Sequence, residues 1–462
     1  MRTQWLSITF IVLPWLGACF TTLRAGENEY EKLASRIHTP KDDTTQGAST
    51  LVSQMAELTA RADQAVSGPI RRNTELLICD LEDQIAKSTS ADSYKVYAGA
   101  FQRVPPEAQA EICFALRKAG ANEEFDAAVA KALTPSSEYR FKVAAIDVLA
   151  AHKYLGGVER ILPLLATKEP LPVQISACRG LAQLPDKRSV PVLIKYMQEC
   201  KEKSIGRGMY ESCGALRSLT TLEYTPDPST WRGWWDQNEK KFEFKADAGK
   251  PKFNWELDSK SDLSYYEIPL VENRIVFILD TSGSMIAGGK PSRLQAAVKE
   301  MTEIIQRMTE KQNFNIVTFS LNVKRWQDAP MVQASEPMKK LAKAFLESLA
   351  PKGGTQTALA FEEVLQKICT ATSCETVFLV SDGGPNPWSK EIKVHDQVRL
   401  ITWINQFLKV RIHTIGIYSK APTDPAILLQ EDLPDMKAFL ETLAKQNDGA
   451  YKEVGKDKEA AK

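Results

Sequence analysis

The stretch Arg274-Ile-Val-Phe-Ile-Leu-Asp-Thr-Ser-Gly-Ser-Met285 decides the fold. Residues 274–279 are mostly branched or aromatic, the composition of a strand buried on both faces. Polarity then changes abruptly. Asp280, Ser282 and Ser284 put three oxygen-bearing side chains at alternate positions around Gly283. A helical pattern follows from about Arg293. A buried strand, an oxygen-rich turn and a helix place polar groups at the carboxyl end of a parallel sheet, where open α/β folds hold their ligands. Alone, Asp-x-Ser-x-Ser also reads as a loop that caps the next helix. The choice turns on what partners the rest of the chain supplies.

The flanking sequence alternates strands and helices. Strand patterns fall at 275–279, 314–319, 376–380, 411–418 and 450–454, with a weak one near 323–326. Helical patterns fall at about 293–309, 336–349, 358–368, 393–409 and 436–446. This argues for a doubly wound, Rossmann-like parallel sheet with helices on both faces. Tyr265-Tyr-Glu-Ile-Pro-Leu270 reads as a short edge strand, because Pro269 suits an edge.

Two later stretches supply partners. Gly353-Gly-Thr355-Gln-Thr357 precedes a helix, and Ser381-Asp382-Gly383-Gly384 follows an apolar strand. With these in place, residues 265–455 resemble a von Willebrand factor type A domain. The resemblance implies a metal-ion-dependent adhesion site made of Asp-x-Ser-x-Ser, a Thr from a second loop and an Asp from a third. Here those are Asp280, Ser282, Ser284, Thr355 and Asp382. Such a set offers only hard oxygens, which suits Mg²⁺ first and Mn²⁺ or Ca²⁺ next, and not zinc. Neutral hydroxyls leave the ion a partly uncompensated positive field. The family uses it to accept the acidic residue of a protein partner at an open position. The resemblance stops short at the end: after Val454 only Gly455-Lys-Asp-Lys-Glu-Ala-Ala-Lys462 follows. The long final helix that couples the metal site to the rest of integrin-type relatives is therefore not expected here.

Upstream of this domain the pattern is helical. Residues 49–243 carry apolar residues at helix spacing, and part of the run repeats. Leu149-Ala150, Val158, Ile161, Leu162 and Leu165 recur 32 residues later as Leu181-Ala182, Val190, Leu193, Ile194 and Met197. A weaker copy surrounds Ile112, Leu116, Phe125 and Val129. Paired helices at a fixed period indicate an α-solenoid, and the spacing resembles HEAT-type repeats; a plain helical bundle is the alternative. Trp231-Arg-Gly-Trp234-Trp235 reads as the hydrophobic cap of the last pair rather than as a binding platform. Residues 26–48, 244–264 and 456–462 are polar and aperiodic, and read as linkers and tail.

Residues 1–25 differ in kind. Arg2 precedes an apolar run from Trp5 to Phe20 that Pro14 interrupts. The run is short for a membrane span and has the charged start and apolar middle of a secretory signal. Leu16-Gly17-Ala18-Cys19 resembles a bacterial lipobox, with Cys19 lipidated; cleavage after Ala25 is the other exit. Membrane contact is expected only through that lipid or an uncleaved signal. The cysteines include no CxxC pair, against a zinc knuckle. In an oxidising compartment Cys369 and Cys374 could bridge across Thr-Ala-Thr-Ser, and Cys200 with Cys213 is a second candidate pair.

A formal net charge of +1 lacks the basic footprint of a nucleic-acid binder. The leading expectation is an exported, metal-dependent protein-binding or scaffold protein. An intracellular accessory of an ATPase assembly is the alternative, with the ATPase as partner because no P-loop is present. A metal-dependent hydrolase is a third reading. A serine nucleophile at Ser284 would need a base, and the four histidines, His38, His152, His395 and His413, all read as structural, solvent-facing or linker residues.

Overall fold

A computed structural model of the chain describes residues 32, 34–37, 43–65, 69–101, 103–253, 263–383, 394–418 and 433–454. The expected signal segment with both of its exits, and the tail 456–462, lie outside the described residues. The chain forms two compact units, one ending at Ala119 and one beginning at Gly120.

Among the described residues, helices α1 (Thr45–Gln64), α2 (Pro69–Ile85), α3 (Ala91–Ala100) and α4 (Pro106–Leu116) lie in the first unit. α1 begins ahead of the apolar run because Thr44 caps it, its side chain accepting from the Gly47 amide. Leu51, Met55, Leu58 and Ala62 form one buried stripe along it, against which α2 and α4 pack.

The second unit opens with α5 (Glu123–Ala132), α6 (Tyr139–Ala151), α7 (Val158–Ile161), α8 (Leu171–Gln183), α9 (Ser189–Glu202), α10 (Gly206–Thr220) and α11 (Pro228–Asn238). α8 packs on α6 and α10 on α8, while α9 packs on α10 and α11 on α9. This is a helical repeat, in which each pair buries its apolar face against neighbours. The first helices start at residues 139, 171 and 206, steps close to the period read from the sequence. Val158, Ile161 and Leu165 are buried, as are their counterparts Val190, Leu193 and Met197. α7 keeps a single α-helical turn between two 3-10 turns, because glycines precede it and Pro163 lacks an amide donor. Trp231 is fully buried against Tyr224, and Trp234, Trp235 and Phe242 continue the aromatic cluster over the last pair.

A hairpin of β1 (Ser264–Tyr265) and β2 (Ile268–Pro269) follows. The expected edge strand is instead this small separate sheet. Tyr266 and Glu267 both take left-handed backbone conformations, which turn the chain back on itself. Tyr265 still reaches the core and packs on Phe277 and Phe378.

Among the described residues the main sheet has seven strands: β3 (Arg274–Asp280), β4 (Asn313–Phe319), β5 (Val323–Arg325), β6 (Val332–Gln333), β7 (Thr376–Ser381), β8 (Arg411–Ile417) and β9 (Tyr451–Val454). Their order is β5-β4-β3-β7-β8-β9, with β6 also on β4. β3, β4, β7, β8 and β9 are parallel; β5 and β6 run against β4. Helices α12 (Arg293–Arg307), α13 (Glu336–Glu347), α14 (Thr357–Phe361), α15 (Val394–Gln406) and α16 (Leu433–Gln446) connect them. α14 runs on through a π-helical stretch, Glu362–Cys369. β3 lies between β4 and β7, and residues 275–279 are fully buried.

The helical repeat docks on the amino ends of these strands. The Arg207 amide donates to Glu375 ahead of β7 (2.8 Å), and Asn273 ahead of β3 donates to the Ser204 carbonyl (2.7 Å). Gly206 is required here, since a Cβ would lie 2.4 Å from the Val271 carbonyl oxygen. Buried charges link the layers. Arg179 holds Glu211 through two nitrogens, each at 2.8 Å, and Asp448 at 2.7 Å. Arg207, itself fully buried, donates to Glu211 at 2.7 Å. Arg411 pairs with Glu272, and Arg274 with Glu375.

No disulfide joins the seven described cysteines, so neither expected bridge is present. Cys200 and Cys213 face different neighbours: Cys200 lies by Tyr196, while Cys213 donates to the Tyr224 carbonyl. Cys369 and Cys374 do lie together, and burial followed by the neighbouring Cys374 raises the Cys369 thiol well above its usual range.

Burial would raise Glu211, but the guanidiniums of Arg179 and Arg207 overcome it and hold the carboxyl at about 2. A depressed carboxyl stabilises the fold above its unfolded pKa, and that stability is lost as pH falls toward the folded value. Glu211→Gln is expected to cost about 3 kcal/mol at pH 7, with the deficit closing between about pH 4.5 and pH 2. Urea unfolding across that range checks both the size and the direction.

Candidate metal centre

Asp280 ends β3 and Asp382 follows β7 directly, so pairing of these adjacent parallel strands brings two carboxylates from distant sequence together. Both are buried. The turn after β3 is fixed by its own polar groups. Asp280 Oδ1 accepts from the Ser282 amide (2.7 Å), and Ser282 Oγ lies 3.0 Å from Ser284 Oγ. Ser284 Oγ donates to Asp382 Oδ1 at 2.9 Å. Asp280, Ser282, Ser284 and Asp382 thus form one connected cluster.

The second loop is anchored on the first through the backbone. The Gly283 amide donates to the Gly353 carbonyl (2.9 Å), the Lys352 amide to the Thr281 carbonyl (2.8 Å) and the Gln356 amide to the Ser320 carbonyl (2.9 Å). Gly353 has φ +74°, a conformation that favours glycine. Thr355 stands in this loop, buried, two residues beyond the contact with Gly283. All five expected residues therefore come from three loops at the carboxyl edge of the sheet, opposite the helical repeat.

Three further residues belong to the cluster and were not singled out in the sequence. Ser381 Oγ donates to Asp280 Oδ2 at 2.6 Å and is itself reached by the Gly383 amide. Its signal was only its place before Asp382. Thr281 ties the turn to β4, its amide and hydroxyl both donating to the Phe319 carbonyl. Arg293, the first residue of α12, donates from Nη1 to Asp382 Oδ2 at 2.6 Å. Nothing in the local sequence marks it, since an arginine on an amphipathic helix ordinarily reads as solvent-facing.

Among the described residues no three or more His, Cys, Asp or Glu side chains group together as metal ligands. The site is instead two carboxylates amid hydroxyls, a donor set of hard oxygens alone. His413 lies deep in β8, stacked on Phe378 and accepting from the Ala450 amide at Nδ1. Burial, then Arg411, lowers its pKa well below the usual range. His152 pairs with Asp126 at 2.6 Å in the helical repeat. His38 and the His395 side chain lie outside the described residues.

The chain matches the von Willebrand factor type A domain family over residues 273–452. Residues 273–452 form a von Willebrand factor type A domain. This VWA domain, with its doubly wound sheet, follows an all-helical repeat region, the order expected from the sequence. The chain is 25% identical to inter-alpha-trypsin inhibitor heavy chain H3 of Mesocricetus auratus over 204 residues, which cover 42% of this chain and 20% of that one. Among solved structures it is similar to a von Willebrand factor type A protein from Catenulispora acidiphila, with 20% identity and a TM-score of 0.32 over 40% of this chain and 39% of that one. It is also similar to proximal thread matrix protein 1 from the mussel byssus, with zinc in its MIDAS motif, at 18% identity and a TM-score of 0.29 over 40% of this chain and 42% of that one. This chain thus spans about a fifth of the heavy chain's length.

Burial, and then the neighbouring Asp382 carboxylate, push Asp280 up to about 7, against the pull of the Ser381 and Ser282 hydrogen bonds. A carboxyl raised on folding keeps a proton that the unfolded chain has released, so stability falls as pH rises from about 4 to about 7. In chelator, Asp280→Asn is expected to gain up to about 4 kcal/mol over the parent at pH 8, with the gain vanishing toward pH 4. Urea unfolding in EDTA at several pH values measures it.

Proposed function

We propose that the VWA domain is a metal-dependent protein-binding site. In this reading Asp280, Ser282, Ser284, Thr355 and Asp382 hold a divalent cation, Mg²⁺ before Mn²⁺ or Ca²⁺, and the ion captures an acidic residue of a protein partner. The observation that carries the reading is the convergence of two buried carboxylates with Ser282 and Ser284 on one loop edge. Two like charges in a buried site oppose each other, and a hard divalent ion relieves that opposition. The ion would supply a positive field toward solvent. The chain's own part is to hold both carboxylates in place, through the Ser282 amide and the Ser381 hydroxyl on Asp280 and the Ser284 hydroxyl on Asp382.

Two exposed apolar side chains stand beside the site. Ile286, two residues after Ser284, is 68% exposed, and Leu321, at the loop that packs over Gly353, is 58% exposed. In this reading both belong to the partner-facing surface. The reading is of binding and scaffolding. The helical repeat that precedes the domain is read as HEAT-like.

Export belongs to the same reading. Among the described residues no helix is long and apolar enough to cross a membrane. The chain would reach the cell exterior or periplasm through the segment 1–25, with Cys19 lipidated or Gly26 as the new start. Mass spectrometry of the mature amino terminus from native cells checks this, and an intact Met1 in the mature protein would move the site to the intracellular alternative.

The binding site is tested with the ion itself. Calorimetric titration of Mg²⁺ into the full chain is expected to show one site with Kd of about 1 mM or tighter, and Asp280→Ala to abolish it. Peptide arrays with a central Asp or Glu are then expected to retain the parent chain only in Mg²⁺ or Mn²⁺. Retention that survives both EDTA and Asp280→Ala would overturn the proposal.

A further inference from the structure

We infer that Arg293 is a built-in counter-cation for the metal centre, which balances Asp382 when no ion is bound and competes with the divalent ion for that carboxylate. The inference rests on the metal-binding reading above and names the residue that sets the affinity of the site.

Four observations support it. First, Arg293 Nη1 lies 2.6 Å from Asp382 Oδ2, while the other oxygen of the same carboxylate accepts from Ser284. Both oxygens of Asp382 are thus engaged, one by a candidate metal ligand and one by a fixed positive charge. Second, the contact is largely shielded from water: the Arg293 side chain is 14% exposed and that of Asp382 is 2% exposed. A pair so shielded is screened less by salt than a surface bridge.

Third, Arg293 sits at the wrong end of its helix for ordinary electrostatics. It is the first residue of α12, behind the cap Ser292, where the helix dipole disfavours a cation. The helix start does not depend on the guanidinium. Ser292 and Gln295 cap each other reciprocally, and the Arg293 amide donates to the Ala287 carbonyl at 2.8 Å. The backbone is therefore placed by the cap, and the side chain is aimed at the site. Fourth, Asp280 and Asp382 are both buried at the ends of neighbouring parallel strands, where like charges oppose each other. A guanidinium on one of them lowers that opposition.

A consequence follows for ion binding. A divalent ion near Asp382 meets a positive charge already on that carboxylate. It must either share the carboxylate at a Coulombic cost or displace the guanidinium. In both cases affinity is lower than the five oxygen ligands alone would give.

The test uses the full chain, freed of metal by EDTA and exchanged into buffer. Mg²⁺ is titrated calorimetrically into the parent, R293Q and R293K, and melting temperatures are measured in EDTA and in Mg²⁺. R293Q is expected to bind Mg²⁺ roughly tenfold or more tightly, to melt lower than the parent in EDTA, and to gain more from Mg²⁺. R293K, which keeps the charge, is expected to stay within about threefold of the parent. R293Q that folds only in Mg²⁺ also supports the inference. Equal affinities and equal melting gains in the parent and R293Q overturn the inference and leave the metal site standing. R293Q unfolded in both buffers assigns Arg293 a purely structural role and overturns it as well. Absence of binding by all three chains overturns the metal-binding reading itself, and this inference with it.

Discussion

Two carboxylates buried side by side organise the functional end of this molecule. Asp280 and Asp382 arrive on neighbouring parallel strands, and each is withdrawn from water. Burial penalises charge, and a like charge nearby penalises it again. Such an arrangement costs stability unless something positive or some donor compensates. The surrounding hydroxyls, amides and one guanidinium are the compensations the chain carries itself, and a hard cation is the further one proposed for it. The tight turn at residues 282–284, the anchoring of the second loop through Gly283 and Gly353, and the capped start of α12 all serve to keep these groups at that edge.

The opposite edge solves a different electrostatic problem. There the helical repeat meets the amino ends of β3, β7, β8 and β9. Arg179, Arg207, Arg274 and Arg411 alternate with Glu211, Glu272, Glu375 and Asp448. Four positive groups face four negative ones, and most of the eight are buried. Breaking one member leaves its partner uncompensated, which is why such networks cost more to interrupt than they contribute. The two ends divide the labour. One pairs opposite charges and holds the repeat to the sheet; the other gathers two buried carboxylates, with exposed Ile286 and Leu321 beside them.

Much of this was legible in the chain. The switch from branched apolar residues to Asp-x-Ser-x-Ser at 280–284 places a loop at a strand end, because several clustered oxygens need hydrogen-bond partners that an apolar core does not supply. The strand and helix alternation after residue 274 carries the sheet class by periodicity alone, and the 32-residue recurrence of Leu149-Ala150 and Val158 carries the repeat. Thr355 and Asp382 were singled out through the resemblance to the von Willebrand factor type A domain, and their places near the ends of regular elements allowed both to share that sheet edge. These are local patterns, and local patterns survive in a one-dimensional string.

The remainder required the tertiary structure. Arg293 looks like any surface arginine until strand pairing brings residue 382 to it, and Ser381 looks like a strand terminus until Asp280 lies beside it. The separate hairpin at 264–269 follows from left-handed backbone at Tyr266 and Glu267, which no periodicity encodes. The unbridged cysteines and the charge layer between repeat and sheet depend on which side chains face one another across long sequence separations. The sequence alone determined the elements, their order and the oxygen donors. Only the folded chain decided which charges meet, because Coulomb interactions depend on distance in space and spacing along the chain does not report it.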